Sequence, residues 1–236
     1  ESLKHKENKY NGYVEPLASM MEIKTNKHVL AVSINANGEN SHISYRLYNS
    51  HQDIVLDSNI IKSNIKLQDV LDALDTVVLQ NEINNVPYII DRCYEKEMKI
   101  FFNAAPYDES IQNYPIEKVT WLVVNETESA ALSGEENYEK MLQVLKQKYP
   151  HTNILFTMGK DGSRVLTNNE DVKVEAMKVN AIDTTGAGDT YIGYFVKGIL
   201  EGFSLVESAN LATKASAIAV TRFGAVDSIP SYDEVK

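Results

Sequence analysis

The sequence NAIDTTGAGDTYIGYF, residues 180–195, places a glycine-containing turn directly before an apolar run with helical spacing. Two aspartates, Asp183 and Asp189, flank that turn. The N-terminus of an α-helix presents unpaired N–H groups and a partial positive charge, and glycine lets the backbone approach a ligand without a Cβ atom in the way. The stretch therefore predicts an anion-binding turn that opens a helix over about residues 187–201.

Residue chemistry alone leaves two interpretations of the aspartates open. In the first, the helix dipole favours the ionised form of Asp189, which accepts a proton from a substrate hydroxyl while the turn stabilises a transferred phosphoryl group. Asp183 then binds a cation or fixes the loop. In the second, Asp183 ends a strand, Asp189 caps a helix and the glycines only make a turn. The stretch matches neither the Walker A pattern nor G-x-G-x-x-G.

The composition limits the classes of partner. The chain has 236 residues with 23 Lys+Arg against 33 Asp+Glu, so its formal charge of -10 argues against a general nucleic-acid partner. The single cysteine, Cys93, cannot form an internal disulfide; it favours a reducing cytoplasm and reads as a small core residue on a helix. The sequence predicts no signal peptide, no membrane partner and no histidine metal site.

Outside the opening stretch, short apolar strands alternate with helices from about residue 66 to 160. An Asn37-Gly38 turn joins two predicted strands, and amphipathic patterns predict helices near 67–76, 83–98, 126–134 and 135–149. Pro87 favours a later start for the second of these helices. Further strands follow, among them one over 171–179, and two helices close the chain. This pattern predicts an α/β fold with three α/β/α layers and a mainly parallel central sheet. No linker or repeat interrupts residues 1–236, so we expect a single domain.

The opening stretch also resembles the C-terminal signature of the ribokinase-like (PfkB) carbohydrate kinases. Four other stretches resemble family segments in the expected order: FFNAAP, VVNETESAALSG, ILFTMGKDGSRV and AIAVTRFGAVDSIPSYDEV. The resemblance covers about residues 21–235, and its last segment is most similar to bacterial ribokinases. It implies a ribokinase-like fold and ATP-dependent phosphorylation of a sugar, ribose to ribose 5-phosphate. The alternatives are another sugar or nucleoside kinase of the family, or a non-catalytic nucleotide-binding fragment or subunit.

The resemblance implies a role for each matching residue. Asp189 would be the catalytic base, the amides of Gly186, Ala187 and Gly188 would form the anion hole, and Glu82 would reach a sugar hydroxyl. The implied ATP and Mg²⁺ residues are Asn125, Glu128, Thr157, Gly159, Gly162 and Thr213. The implied ligands of an activating K⁺ are Asp183 and Ser228, with the carbonyls of Thr185, Ala219, Arg222 and Gly224.

Several of these residues also have a purely structural interpretation. Asn125 and Glu128 fit a helix capping box, and Gly159 and Gly162 fit a hairpin turn. Glu82 could be a solvated carboxylate, and Thr213 could be a residue on a helix face.

The start of the sequence departs from the family pattern. Family members begin with a strand, a Gly-Gly segment that holds the sugar, and lid strands, whereas residues 1–16 resemble the helix that follows them. We therefore expect the chain to begin inside the kinase fold. Three explanations stay open: a fragment of a complete kinase, which the intact signature favours, a missing part supplied by another chain, or a shortened gene product. Family dimers usually pair through the lid, which this sequence does not match, so the oligomeric state stays open, with a homodimer as one alternative.

Overall fold

A computed structural model describes this chain over residues 75–83 and 85–236 in full, together with the backbone of three strands between residues 29 and 56. The predicted helix near 67–76 and the first 28 residues lie outside the described part, apart from residues 75 and 76. Thr76 belongs to a strand rather than to the end of that helix.

The described strands form one sheet in the order β3-β2-β1-β4-β5-β6-β7-β8-β9. The four pairs from β1 to β7 through β4, β5 and β6 are parallel, and the outer pairs on both sides are antiparallel. The strands are β1 Val29–Asn37, β2 Asn40–Asn49, β3 Gln52–Leu56, β4 Thr76–Gln80, β5 Lys99–Asn103, β6 Trp121–Val124, β7 Asn153–Thr157, β8 Ser163–Leu166 and β9 Asp171–Val174. The mainly parallel centre is thus confirmed.

Five helices of two turns or more accompany the described sheet. They are α1 Val86–Glu95, α2 Glu126–Ser133, α3 Tyr138–Lys148, α4 Ala187–Glu201 and α5 Leu205–Ala219; a short α6, Tyr232–Val235, follows. The predicted helix near 83–98 begins only at Val86, because Pro87 lies at its N-terminal end and Asn85 before it is left-handed (φ 64°). Neither β3 nor α6 was expected from the sequence.

Apolar cores lie on both faces of the sheet. Ile90 of α1 and Leu145 of α3 pack with Phe102 on one face, and Phe195 of α4 packs with Phe101 and Trp121 on the other. This arrangement follows from strand alternation, because successive side chains point to opposite faces, and it confirms the three-layer prediction. Cys93 is buried in the first core, as expected, where burial raises the pKa of its thiol to about 12.

The parallel strands place their carboxyl ends at one edge of the sheet, where α2 and α4 begin. Ser216 of α5 donates a 3.1 Å hydrogen bond to the carbonyl of Ala187, which fixes the first turn of α4. Midway along α4, the Tyr194 hydroxyl donates to the Pro230 carbonyl at 2.7 Å. Within the described part of the chain, no helix is long and apolar enough to cross a membrane.

Candidate active site

A cavity of about 440 Å³ opens at the carboxyl edge of the sheet. It lies between the end of β7, the starts of α2 and α4, and one side of α5, and it includes most residues implied for nucleotide binding. Its lining is Asn125, Glu126, Thr157, Gly159, Lys160, Gly162, Ala176, Met177, Val179, Ala181, Thr184, Ala187, Gly188, Tyr191, Thr213, Ser216, Ala217 and Val220. Residues scattered over almost 100 positions of sequence therefore meet in one concave site.

The start of α4 is open towards this cavity. Gly186 precedes the helix with φ +74°, and no side chain caps it. A Cβ atom on Gly186 would lie 3.2 Å from the Ala225 carbonyl oxygen, so a larger residue would be both strained and crowded there. Among the described residues, the N–H groups of Gly188 and Asp189 have no hydrogen-bond partner, whereas that of Ala187 donates to Thr184 O at 3.2 Å. The unpaired donors are the ones an anion would use.

Asp189 is the third residue of α4 and is half-buried beside the open helix start. Its Oδ1 accepts a 3.1 Å hydrogen bond from Gln80 Nε2. Burial raises the pKa of Asp189 to about 6, the Gln80 hydrogen bond works in the opposite direction, and the charge of Glu82 adds to the rise. We expected the helix dipole to favour ionisation, but loss of water outweighs it, so the ionised form predominates only above about pH 6.

Asp183 has the opposite environment at the other end of the turn. Its Oδ1 accepts from Thr185 N at 2.9 Å and its Oδ2 from Gly224 N at 3.0 Å. These hydrogen bonds keep the pKa of Asp183 below its usual range. The carboxylate thus joins two loops, those whose carbonyls the resemblance assigns to a cation.

The other predicted cation ligands lie in or beside the second loop. The Ala219 carbonyl accepts a 3.0 Å hydrogen bond from Arg222 N, and the buried Ser228 hydroxyl donates to Ala225 O at 3.1 Å. Ala225 O is the same atom that lies against Gly186. Ser228 is therefore connected to the α4 turn through a single residue.

Asn125 and Glu128 form the capping box that the structural interpretation predicted. Asn125 Oδ1 accepts from the amides of Thr127 (2.8 Å) and Glu128 (3.1 Å), and Glu128 Oε2 accepts from Asn125 N at 2.6 Å. Asn125 also lines the cavity, but the buried Glu128 does not. Desolvation raises the pKa of Glu128.

The turn between β7 and β8 supplies another wall of the cavity. Gly162 has φ +93°, and a Cβ atom there would lie 2.1 Å from the Val174 carbonyl oxygen, so only glycine fits. Gly159, which also lines the cavity, begins a 3₁₀ turn that ends at Asp161.

Tyr191 and Thr213 form the deep part of the cavity, where α4 and α5 meet. The Tyr191 hydroxyl lies 2.6 Å from Ser163 Oγ, and Thr213 is 8% exposed. Sequence reasoning identified Thr213 but missed Tyr191, Ser216 and Val220. Their helical spacing marks them only as residues of a buried face, and nothing in it distinguishes a cavity from a core.

The described residues include no group of three or more His, Cys, Asp or Glu side chains that could hold a metal ion. In phosphoryl-transfer sites a magnesium ion usually binds water, substrate phosphate oxygens and one or two carboxylates. The free amides at α4 fit the phosphates themselves, because they supply donors and partial positive charge without a side chain.

Comparison with known proteins gives consistent results. Residues 19–232 match the model of the pfkB family carbohydrate kinases. Ribokinase from Bacillus subtilis is 29% identical over 168 residues, covering 70% of this chain and 55% of that protein. Deoxyribokinase from Salmonella typhi is 28% identical over 217 residues, covering 89% and 68%.

A solved ribokinase from Thermotoga maritima has a similar fold. It has a TM-score of 0.63 and 28% identity, covering 86% of this chain and 67% of that one. This chain spans about half the length of the Bacillus relative, at 55%. The family match extends over nearly all of the sequence, and it includes both the cavity and Asp189. The chain therefore belongs to the pfkB family of carbohydrate kinases.

Proposed function

We propose that this chain transfers the γ-phosphoryl group of ATP to a hydroxyl of a sugar, with ribose as the first candidate. The observation that carries the proposal is the pairing of Asp189 with the uncapped start of α4 beside the cavity. A carboxyl with a pKa of about 6 is ionised at neutral pH and accepts a proton more readily than an ordinary aspartate does. Family membership and relatives named ribokinase support the choice of reaction and sugar.

Each group of residues would have a separate role in the reaction. ATP would occupy the cavity, with its base near Tyr191 and Thr213 and its phosphates at the amides of Gly188 and Asp189. Asp189 would take the hydroxyl proton as the sugar oxygen attacks phosphorus, and the helix start would stabilise the charge on the phosphoryl oxygens. Glu82, whose charge acts on Asp189, would lie on the sugar side. Magnesium, held largely through water near Asn125, would neutralise phosphate charge.

The proposal includes a potassium site at Asp183. An anionic carboxylate between two loops suits a monovalent cation, which would stiffen the α4 turn through Thr185 and Gly224. A cytoplasmic location is also part of the proposal, because the single cysteine is buried and has no partner for an internal disulfide. Homodimerisation stays a prediction of the family resemblance.

A coupled ADP-release assay tests the proposal on this chain with ribose, deoxyribose, fructose and adenosine, with Mg²⁺ and with K⁺ or Na⁺. We expect sugar-dependent ADP release that is fastest with ribose and faster in K⁺. Calorimetric titration with ATP accompanies it. ATP binding without ADP release for any acceptor would contradict the kinase proposal and favour the nucleotide-binding alternative.

A further inference from the structure

Within the described part of the chain, the carboxamide of Gln80 is the side chain that donates a hydrogen bond to Asp189. Gln80 ends β4, 109 positions before Asp189 in the sequence. Val78, two residues earlier and therefore on the same face of the strand, packs in the core with Tyr191 and Ile192 of α4. Strand alternation thus aims Gln80 at the beginning of that helix, so the contact is built into the sheet rather than into a loop.

The chemistry of the pair fixes its direction. An ionised carboxylate only accepts hydrogen bonds, so the Gln80 side chain must present its NH₂ group to Asp189 Oδ1. Among the described residues, Asp189 Oδ2 has no hydrogen-bond partner. One oxygen of the carboxylate is therefore held, while the other is available to a substrate hydroxyl.

Glu82 opposes Gln80 from the loop that follows the same strand. Its negative charge disfavours the ionised form of Asp189, whereas the Gln80 hydrogen bond favours it. Glu82 is the charged group whose field reaches Asp189 within the described part of the chain. Burial raises the pKa of Asp189, as the charge of Glu82 does. Of these three influences, only the Gln80 hydrogen bond lowers that pKa and so favours the ionised base near neutral pH.

We propose that Gln80 is a positioning residue for the reaction: it holds Asp189 Oδ1 and leaves Oδ2 as the oxygen that takes the substrate proton. The proposal rests on the kinase function proposed above. It adds which carboxylate oxygen acts, and it assigns a role to the last residue of β4.

The Gln80→Met variant tests this inference, because methionine keeps the length of the side chain and removes the donor. The measurements are kcat/KM for sugar between pH 5 and 9, the Kd for ATP, and the titration of Asp189 followed by ¹³C NMR of its carboxyl, assigned with Asp189→Asn. We expect the acid limb of the profile and the carboxyl titration to move upward by about one pH unit. At pH 6 this lowers kcat/KM about fivefold, with an unchanged Kd for ATP.

Gln147→Met is the matched control, since Gln147 is exposed on α3 and does not line the cavity. Gln80→Glu is a second variant of the same shape, in which an added negative charge should move both curves further upward. Overlapping curves for wild type, Gln80→Met and Gln80→Glu would overturn the inference. Wild-type protein without activity on any sugar would instead contradict the proposed function, and the carboxyl titration would still report on the Gln80 contact.

Discussion

Helices α2 and α4 both begin at the carboxyl edge of the sheet and both line the cavity, but their first turns are completed differently. Asn125 and Glu128 close the start of α2 with three hydrogen bonds of 2.6–3.1 Å. The start of α4 has Gly186 in place of a capping side chain, and the amides of Gly188 and Asp189 stay unpaired. The difference shows that an open helix end is not a general property of this edge. One helix start is closed by its cap, and the other has donors that a ligand could use.

The largest expected effect comes from Asp189→Asn, which keeps the open start of α4 and removes the base. We expect kcat to fall about 1,000-fold, because the variant can no longer accept the hydroxyl proton. The Kd for ATP should stay within about twofold, since the helix amides and the cavity are unchanged. Coupled ADP release and calorimetry measure the two quantities, with Asp91→Asn on α1 as the control. Full turnover by Asp189→Asn would rule out this carboxylate as the base.

The same substitution should stabilise the protein at high pH. The pKa of Asp189 is raised in the folded state from 3.8 to about 6, so the favourable contribution is complete below the unfolded pKa and is lost as the pH rises through 6. At pH 8 the buried charge therefore destabilises the fold, and Asp189→Asn should gain about 2 kcal/mol after allowance for partial exposure. The gain should vanish near pH 4. Urea unfolding at both pH values measures it, and an equal gain at pH 4 would contradict the assigned pKa.

Placing an acid at the open helix start should convert α4 towards the closed type. Gly188→Asp introduces a carboxylate among the free amides, so we expect the Kd for ATP to rise about tenfold or more while the helix itself is stabilised. Apart from the neighbouring backbone of α4 itself, no atom lies within 4 Å of a Cβ at this position, so the side chain fits. Gly188→Ala is the matched control for the added Cβ atom, and it should weaken ATP binding much less than Gly188→Asp does. A Kd for Gly188→Asp equal to that of Gly188→Ala would show that phosphate does not bind here.

The smallest effect concerns the closed start of α2. Asn125→Ala removes the cap and should lower the free energy of unfolding by about 1 kcal/mol. Asn137→Ala is its control, because Asn137 caps α3 with similar bonds of 3.1 and 3.2 Å but does not line the cavity. Both variants should lose similar stability, and only Asn125→Ala should also weaken ATP binding, about threefold. Thermal unfolding and calorimetry distinguish them, and equal ATP affinities would leave Asn125 with a capping role alone.

Local sequence patterns predicted most of the described fold. Residue spacing and capping chemistry act within a few residues of sequence. They predicted the helix after Gly186, the α2 cap at Asn125 and the alternation of helices with the apolar strands β4 to β7. The short α6 was missed because four residues give too little periodicity to read. The strand predicted over 171–179 stops at Val174, since the segment beyond it borders the cavity instead of pairing.

The sequence predicted site residues only where they belong to a recognisable motif. The turn from Asp183 to Asp189 has its own signature, whereas Gln80 is one polar residue at the end of an apolar strand and gave no signal. Its partner lies 109 positions away, so only the sheet brings the two together. The rise in the pKa of Asp189 also depends on burial by distant residues, which a dipole argument restricted to one helix does not include.

The bridge made by Asp183 has a consequence for motion. Its carboxylate ties the Thr185 amide to the Gly224 amide, which lies 41 positions further along the chain than Asp183 itself. The two loops cannot separate without breaking the charge-assisted hydrogen bond between Gly224 N and Asp183 Oδ2. The two loops should therefore open together, as one cooperative unit with matched rates of amide exchange, rather than fray separately. The rate at which the cavity opens would then depend on one joint motion of both loops, which includes the C-terminal part of the chain.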